Sequence, residues 1–239
     1  MVLKGIREAM ASGKKLLAVL VDPEKFMNSR AAEFLQTLPA ATTHIFVGGS
    51  TVEKGMTEET VRALRAETSL PIMLFPGDYS QLTELADGIL FISLISGRNP
   101  EYLIGQQIKA VQGLKGSALE IVPTGYVLID GGTETAVQRV TQTLPLSQRS
   151  VEEIVATSLA GEYSGKQLIY LEAGSGANYP VSREVISEVK TAISIPLIVG
   201  GGIRTEAQLE DAYQAGADMV VMGTVFEDNG IEFTGSQDL

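Results

Sequence analysis

The chain of 239 residues contains no cysteine and no tryptophan, and its only histidine is His44. Without cysteine it cannot form a disulfide bond, a thiolate metal site, an iron–sulfur cluster or a cysteine nucleophile. A single histidine also argues against a Ser–His catalytic triad, a histidine-rich zinc site and a histidine general base. Several common enzyme classes are therefore excluded, and the lack of cysteine is compatible with a reducing compartment.

Basic residues are also scarce. The 18 Lys and Arg residues are outnumbered by 29 Asp and Glu residues, which gives a formal net charge of −11 and an isoelectric point near 4.6. Binding to the phosphate backbone of a nucleic acid requires a basic face, so we expect no nucleic-acid partner. With 44% hydrophobic and 20% charged residues, the composition is otherwise typical of a globular protein.

Long apolar runs are missing as well. No stretch approaches the ~20 residues that a membrane-spanning helix needs. The N-terminal segment mixes charged and apolar residues, unlike a signal peptide. We therefore expect a cytoplasmic protein, which could still contact a membrane surface peripherally if its substrate is a lipid.

Short apolar runs rich in Val, Ile and Leu recur along the whole chain, and we interpret eight of them as β-strands. They are continuous rather than alternating, which is typical of parallel strands covered on both faces. The predicted strands are residues 16–21, 44–47, 72–75, 88–92, 118–122, 168–171, 196–199 and 218–222. The predicted helices between them are residues 57–68, 99–113, 151–162, 181–193 and 205–215.

Strands that alternate with helices in this way predict the α/β class, as a single-domain (β/α)8 TIM barrel over residues 1–239. An open doubly wound sheet is the alternative. No linker rich in Pro, Gly or Ser divides the chain. The predicted strands at 72 and 88 start only 16 residues apart, so we expect a modified barrel whose third helix is missing or reduced.

Glycine-rich sequences follow the last two predicted strands. Gly200, Gly201 and Gly202 come after the seventh strand, and Gly223 and Thr224 come after the eighth. Glycines let backbone N–H groups approach an anion closely, and helix N-termini favour negative charge. Because barrels often bind phosphate after strands seven and eight, we expect a phosphate site here. Ordinary tight turns are the alternative interpretation.

The sixth predicted strand ends in a cluster of residues suited to chemistry. Alternation along a strand places Tyr170 and Glu172 on the same face, pointing into the barrel mouth. A buried carboxylate beside a phosphate is a candidate general base, because burial raises its proton affinity. Gly174 and Gly176 could form a third wall of the phosphate cradle. The alternative is that Glu172 is a solvated carboxylate at a strand end.

Two hydroxyl or carboxylate residues follow the first two predicted strands. Asp22 ends the first strand and Ser50 comes after the second. Hard oxygen ligands suit Mg²⁺, which typically takes one or two protein oxygens together with water and substrate phosphates. We therefore expect a Mg²⁺ site, with a role for Asp22 as a helix N-cap or turn residue as the alternative.

Together these segments resemble the geranylgeranylglyceryl phosphate synthase family and its bacterial heptaprenylglyceryl phosphate synthase relatives. The resemblance covers nearly the whole chain. It rests on LVDPEK, FVGGST, PIMLFPG, ISLISGRNPEYLIG, IVPTGYVLIDGG, YLEAGSGA, VGGGIRT and VVMGTVFE. It implies a modified barrel whose third helix is replaced, in agreement with the short spacing between the third and fourth strands.

The resemblance implies a Mg²⁺-dependent prenyltransferase of ether phospholipid synthesis. Such an enzyme joins sn-glycerol 1-phosphate to a polyprenyl diphosphate, expected to be geranylgeranyl diphosphate, and releases pyrophosphate. Asp22 and Ser50 would then hold Mg²⁺, Glu172 would accept the proton of the attacking hydroxyl, and Tyr170 would face the allylic cation. The implied glycerol 1-phosphate ligands are Tyr170, Leu171, Glu172, Ala173, Gly174, Ser175, Gly176, Gly201, Gly202, Gly223 and Thr224. The family also implies a homo-oligomer.

One position departs from the pattern of some bacterial relatives. They carry a lysine two residues before the metal-binding aspartate, and this chain has Leu20 there. This change fits the branch of the family that includes the archaeal members. The prenyl chain length of the heptaprenyl relatives therefore cannot be transferred to this protein.

Both implied substrates are anions, although the protein is net acidic. Mg²⁺, helix N-termini and nearby basic side chains would have to offset their charge, and the candidate side chains are Lys25, Arg98 and Arg204. Ionisation of an allylic diphosphate also needs stabilisation of the leaving group, which a metal ion supplies.

A long apolar tail needs a groove, and a reduced third helix would leave one. We expect Tyr102, Tyr126, Val127 and Leu128 near this groove, with ordinary core packing as the alternative. Two other functions remain open at this point. One is a metal-free phosphosugar isomerase or lyase barrel, and the other is a non-catalytic binder of phosphorylated metabolites.

Overall fold

The computed structural model describes residues 1–223. Eight parallel strands follow one another in chain order around a closed barrel, and β1 pairs with β8 to close it. The strands are β1 Leu16–Val21, β2 Thr42–Val47, β3 Ile72–Leu74, β4 Gly88–Leu94, β5 Glu120–Leu128, β6 Leu168–Glu172, β7 Leu197–Gly200 and β8 Met219–Met222. The predicted TIM barrel is therefore confirmed, and the open sheet is excluded.

Helices cover the outside of the barrel, and several begin and end where the sequence signals predict. Thr205 caps α8 in a reciprocal capping box with Gln208, and α8 stops at Gly216, whose φ of 118° favours glycine. The helices are α1 Val2–Ser12, α2 Ala31–Thr37, α3 Met56–Glu67, α4 Gln106–Leu114, α5 Ala136–Thr141, α6 Val151–Tyr163, α7 Arg183–Ala192 and α8 Glu206–Ala215, with a 3₁₀ turn at Asn28–Arg30 and a π-helical turn at Glu101–Gly105. Within residues 1–223 no helix combines the length and apolar content needed to cross a bilayer.

The third helix of a regular barrel is missing. Residues 75–87, all of which the structure describes, contain no helix between β3 and β4. The two strands pair only at Met73–Gly88 and Leu74–Ile89, so β4 continues for several residues without a β3 partner. The short spacing in the sequence thus predicts this feature correctly, and an opening remains beside the upper half of β4.

The fifth strand is longer than the sequence predicts. The sequence predicts a strand over residues 118–122, but β5 runs from Glu120 to Leu128. Pro123, Thr124 and Gly125 favour a turn locally. Pairing with β4 on one side and with β6 on the other overrides this preference. Residues 126–128 consequently lie on a central strand of the barrel.

Alternation along the strands separates the inside of the barrel from its outer layers. Phe46, Tyr126 and Tyr170 point into the interior, which α1 covers at the bottom through Ile6 and Ala9. A second layer joins strands β5–β8 to helices α6–α8, and a third joins β2–β4 to α2–α4. The interior is therefore filled by large side chains, and any substrate site has to lie above them.

Candidate active site

A cavity of about 460 Å³ opens at the C-terminal ends of the strands. Residues in or near the C-terminal half of every one of the eight strands contribute to its lining. Asp22 of the predicted metal site and the glycine pair Gly201 and Gly202 of the predicted phosphate site face this same cavity. The two halves of the predicted site are therefore close enough to share a pair of reactants.

Glu172 lies at the end of β6 and is only 6% exposed. Burial raises the pKa of its carboxyl group from 4.5 to about 7, although a hydrogen bond of 2.7 Å from the Gly174 N–H to Oε1 partly opposes that rise. A pKa near neutrality is what a general base requires. The burial of this side chain does not fit the alternative of a solvated carboxylate at a strand end.

Tyr170 lies at the centre of an aromatic stack that crosses the barrel mouth. Its ring stacks on Phe75 at a centroid distance of 5.1 Å and on Tyr126 at 5.5 Å, with interplanar angles of 14° and 19°. Burial, followed by the charge of Glu172, holds the pKa of both tyrosines well above the usual value. Phe75, which directly follows β3, and the tyrosines of β5 and β6 are neutral rings whose π-systems favour positive charge near them.

Gly200 leaves the room that Tyr170 and Glu172 occupy. A Cβ atom at this position would overlap the Tyr170 hydroxyl and would lie 2.9 Å from Glu172 Oε2. The sequence pattern predicts a phosphate-binding turn that contains Gly200 and its neighbours. Its structural requirement is different, because only glycine allows β7 to pass this close to the phenol and the carboxylate.

The glycines after β6 and β7 adopt backbone conformations suited to a cradle of N–H groups, named here the glycine cradle. Gly174, Gly176, Gly201 and Gly202 all have φ between 72° and 98°, the left-handed region that glycine adopts without strain. A side chain at Gly201 would overlap Glu172 Oε1. Turns of this kind direct successive N–H groups toward an anion, so the predicted phosphate site has suitable geometry.

Arg204 and Gly223 complete this side of the cavity. Arg204 is among the lining residues. Its guanidinium donates a 2.8 Å hydrogen bond to the carbonyl of Ala177, which joins the β6 and β7 loops. Gly223 also lines the cavity, whereas Thr224 lies outside the described residues. Arg98 is not among the lining residues and donates instead to the carbonyl of Gly97.

Two predicted ligands of glycerol 1-phosphate turn away from the cavity. The side chains of Leu171 and Ala173 are fully buried in the layer between strands β5–β8 and helices α6–α8. Alternation along β6 sends them to the opposite side of the sheet from Glu172. Only their backbone atoms could reach a ligand, whereas Ser175 lines the cavity.

Of the four predicted groove residues, two line the cavity and two do not. Tyr102 and Tyr126 line the cavity. Val127 and Leu128 do not, because Val127 packs in the outer layer and Leu128 lies in the barrel interior. For these two residues the alternative of ordinary core packing describes the structure.

Asp22 and the β2 loop meet at the opposite side of the mouth. Asp22 Oδ1 accepts a 3.1 Å hydrogen bond from the Glu24 N–H, and Oδ2 lies 3.7 Å from Lys25 Nζ. A Cβ atom at Gly49 would lie 2.9 Å from Asp22 Oδ1, so glycine lets the loop that carries Ser50 approach the carboxylate. Asp22 and Ser50 both line the cavity.

This donor set fits Mg²⁺. Among the described residues no group of three Asp, Glu, His or Cys side chains could hold a metal ion by itself. A cation beside Asp22 and Ser50 would therefore need further oxygens from substrate phosphates and water. Mg²⁺ accepts such a shell, since it usually keeps several waters and binds through one or two carboxylates.

The cavity also extends beside β4, through the opening that the missing helix leaves. Gln107 of α4 donates to the carbonyl of Ile92 at the unpaired edge of β4. The residues that line this extension are Pro76, Tyr79, Leu82, Phe91, Gln106, Gln107 and Ala110. Most of these side chains are apolar, and the sequence signal for the extension was the short distance between the third and fourth strands.

Comparison with known proteins identifies the family. Residues 11–236 match the family described as the PcrB family. This chain belongs to the PcrB family. A relative named geranylgeranylglyceryl phosphate synthase from Zunongwangia profunda is 58% identical over 226 residues, which cover 95% of this chain and 97% of the relative. A second relative with the same name, from Flavobacterium johnsoniae, is 49% identical over 94% of this chain and 93% of its own length.

The fold of this PcrB family member is similar to that of an enzyme whose structure was solved with its substrate bound. (S)-3-O-geranylgeranylglyceryl phosphate synthase from Thermoplasma acidophilum, in complex with its substrate sn-glycerol-1-phosphate, matches with a TM-score of 0.91 at 34% identity. The match covers 98% of this chain and 94% of the other. The chain therefore shares its overall fold with an enzyme whose structure was solved with sn-glycerol-1-phosphate bound.

Proposed function

We propose that this protein is a prenyltransferase that joins sn-glycerol 1-phosphate to a polyprenyl diphosphate, by our expectation geranylgeranyl diphosphate. The reaction forms an ether bond, releases pyrophosphate and belongs to ether phospholipid synthesis. The observation that carries this proposal is the joint placement in one cavity of Glu172, the glycine cradle, the aromatic stack and the apolar extension. The names of the PcrB relatives support the same activity.

The glycerol 1-phosphate would bind on the side of β6 and β7. Its phosphate would bind the N–H groups around Gly176, Gly201 and Gly202, since the Gly174 N–H is already donated to Glu172. Its terminal hydroxyl would then lie next to Glu172. As the hydroxyl oxygen forms a bond to the first carbon of the prenyl chain, its proton passes to the Glu172 carboxylate. The bond between that carbon and the diphosphate oxygen breaks, so that pyrophosphate leaves with the electron pair.

The prenyl diphosphate would bind across the remaining part of the mouth. Asp22 and Ser50 would hold Mg²⁺, which when bound would supply positive charge to stabilise the leaving pyrophosphate. The rings of Phe75, Tyr126 and Tyr170 would stabilise the allylic carbon as it becomes positively charged. A metal-free phosphosugar isomerase or lyase could use the glycine cradle, but it would have no use for the apolar extension beside β4.

A product assay tests this function. Purified protein is incubated with Mg²⁺, sn-glycerol 1-phosphate and, in turn, farnesyl, geranylgeranyl and heptaprenyl diphosphate, and the products are identified by mass spectrometry. We expect a prenylglyceryl phosphate ether, formed best from geranylgeranyl diphosphate, and much less product from sn-glycerol 3-phosphate as the matched control. The absence of ether product from all three diphosphates would refute the proposed function. Cytoplasmic location, homo-oligomerisation and peripheral membrane contact remain predictions.

The position of the prenyl tail can be tested by filling the extension beside β4. Ala110 lines it from α4, whereas Ile108 on the same helix is 64% exposed and does not line it. We expect Ala110→Trp to raise the KM for geranylgeranyl diphosphate more than tenfold, because each displaced methylene forfeits about 0.8 kcal/mol of burial. The KM for geranyl diphosphate should change much less, and Ile108→Trp should change neither value. Equal effects of the two substitutions would place the tail elsewhere.

A further inference from the structure

Gln81 connects two loops at the rim of the cavity. It lies in residues 75–87, the segment that replaces the third helix, and its side chain is only 2% exposed. Its Nε2 donates a 3.0 Å hydrogen bond to the Gly49 carbonyl. Its Oε1 accepts from the Gly77 N–H at 3.2 Å and from the Gly49 N–H at 3.5 Å. One amide group thus satisfies three backbone groups on two different loops.

The two loops that Gln81 joins pack backbone against backbone. A Cβ atom at Gly48 would overlap the Phe75 carbonyl oxygen. A Cβ atom at Gly77 would overlap the Gly49 carbonyl oxygen and would lie 2.8 Å from the Ser50 carbonyl oxygen. With no side chain between them, the position of the β2 loop depends directly on the segment that follows β3.

The contact continues to the predicted metal ligands. Gly49 lies against the Asp22 carboxylate on one side and against the Gln81 amide on the other, and Ser50 is its neighbour in the chain. Gln81 itself does not line the cavity, so it cannot touch a substrate held there. Any effect of Gln81 on the reaction must therefore act through the two loops that it holds, which carry Gly49, Ser50 and Gly77 and lie against Asp22.

We propose that Gln81 is a positioning residue that holds the β2 loop in place for Mg²⁺ and diphosphate. The proposal rests on the proposed function, because it assigns Asp22 and Ser50 to that half of the reaction. The segment that replaces the third helix then has two roles. It leaves the apolar extension open beside β4, and through Gln81 it fixes the loop that binds the leaving group.

The chain offers a matched control in Gln148. Its Nε2 donates to the carbonyls of Asp130 and Pro180 at 2.8 and 3.1 Å, and its Oε1 accepts from the Ser182 N–H at 2.7 Å. This amide also makes three hydrogen bonds to backbone groups, but it lies away from the β2 loop and does not line the cavity. Replacement of Gln148 therefore measures how much stability and activity the protein loses when an amide of this kind is removed.

The experiment compares Gln81→Met with Gln148→Met. Methionine has a similar length and shape but makes none of these hydrogen bonds. For Gln81→Met we expect the KM for geranylgeranyl diphosphate and the half-saturating Mg²⁺ concentration to rise about tenfold or more, as is typical when a supporting partner of a metal ligand is removed. The KM for sn-glycerol 1-phosphate should stay within about twofold, since its cradle is not touched. Calorimetric titration with Mg²⁺ pyrophosphate should show the same loss of affinity without any turnover.

Each result decides the proposal. Unchanged Mg²⁺ pyrophosphate affinity in a folded Gln81→Met variant, or an equal loss in Gln148→Met, would overturn the positioning role. If Gln81→Met does not fold, Gln81→Glu is the second variant, because it keeps the acceptor for the Gly77 N–H and removes the donor to the Gly49 carbonyl. It should likewise raise the KM for geranylgeranyl diphosphate and the half-saturating Mg²⁺ concentration. Wild-type protein that neither turns over nor binds Mg²⁺ pyrophosphate would overturn the proposed function as well. Active wild type with an unaffected variant would overturn the role of Gln81 alone.

Discussion

Replacement of Glu172 by Gln is expected to lower turnover about 10²–10⁴-fold, the usual contribution of a positioned general base. Glutamine keeps the shape of the side chain and can still accept the hydrogen bond from the Gly174 N–H, but it cannot take the proton from the glycerol hydroxyl. The KM values of both substrates should change far less than kcat. Steady-state kinetics of ether formation would measure this, and a variant with more than a tenth of the wild-type kcat would contradict the assignment of the base.

The same substitution should change the pH dependence of stability in a defined direction. Burial raises the pKa of Glu172 from 4.5 to about 7 in the folded protein. Between these values the unfolded chain has lost the proton while the folded protein retains it, so stability falls as pH rises, and the full cost is present above about pH 7. Glutamine has no such cost. The free energy of unfolding of Glu172→Gln relative to wild type should therefore increase by about 3 kcal/mol between about pH 4 and about pH 8.

Activity should follow the same ionisation. Because the base must be deprotonated, kcat/KM for sn-glycerol 1-phosphate should rise with pH and level off above about 7. The second ionisation of a phosphate monoester lies near pH ~6 and would add its own inflection. The residual activity of Glu172→Gln serves as the control, because it should retain only the substrate inflection. A wild-type profile identical to that of the variant would show that Glu172 does not titrate in the reaction.

Replacement of Asp22 by Asn is expected to reduce kcat/KM for the prenyl diphosphate at least about 10²-fold at a fixed Mg²⁺ concentration. The neutral amide binds a divalent cation poorly, and charge stabilisation by such a cation is worth several kcal/mol, where each 1.36 kcal/mol is tenfold in rate. Raising the Mg²⁺ concentration should recover part of the activity. In wild type, a chelator should abolish ether formation and added Mg²⁺ should restore it.

Asp130 provides the control for Asp22. Its Oδ1 accepts a 2.9 Å hydrogen bond from the Gly132 N–H, the same type of turn contact that Asp22 Oδ1 makes with the Glu24 N–H. Asp130 does not line the cavity. If Asp22 were only a turn residue, Asp22→Asn and Asp130→Asn would lose similar small amounts of stability and no activity. A large loss in Asp22→Asn alone would separate metal binding from the structural role.

Local sequence patterns were sufficient to predict the barrel fold, its missing helix and the side of the barrel on which the candidate site lies. Continuous runs of Val, Ile and Leu marked the strands, and the short distance from β3 to β4 predicted the missing helix. Strand ends placed Asp22, Glu172 and the glycines on one rim, because parallel strands all expose their C-terminal ends on the same side of a barrel. These features depend on residues close together in the chain, so periodicity and spacing were sufficient to find them.

The contacts between distant segments of the chain depend on closure of the barrel. The stack of Phe75, Tyr170 and Tyr126 joins the segment after β3 to β5 and β6. Neither its geometry nor the burial that raises the pKa of Glu172 has a signature in any single segment. Gln81 is an ordinary loop residue in the sequence and becomes a buried link between two loops only when β2 and β3 lie side by side. Contacts between distant segments depend on how the strands are arranged around the barrel, and a linear pattern of residue types does not contain that arrangement.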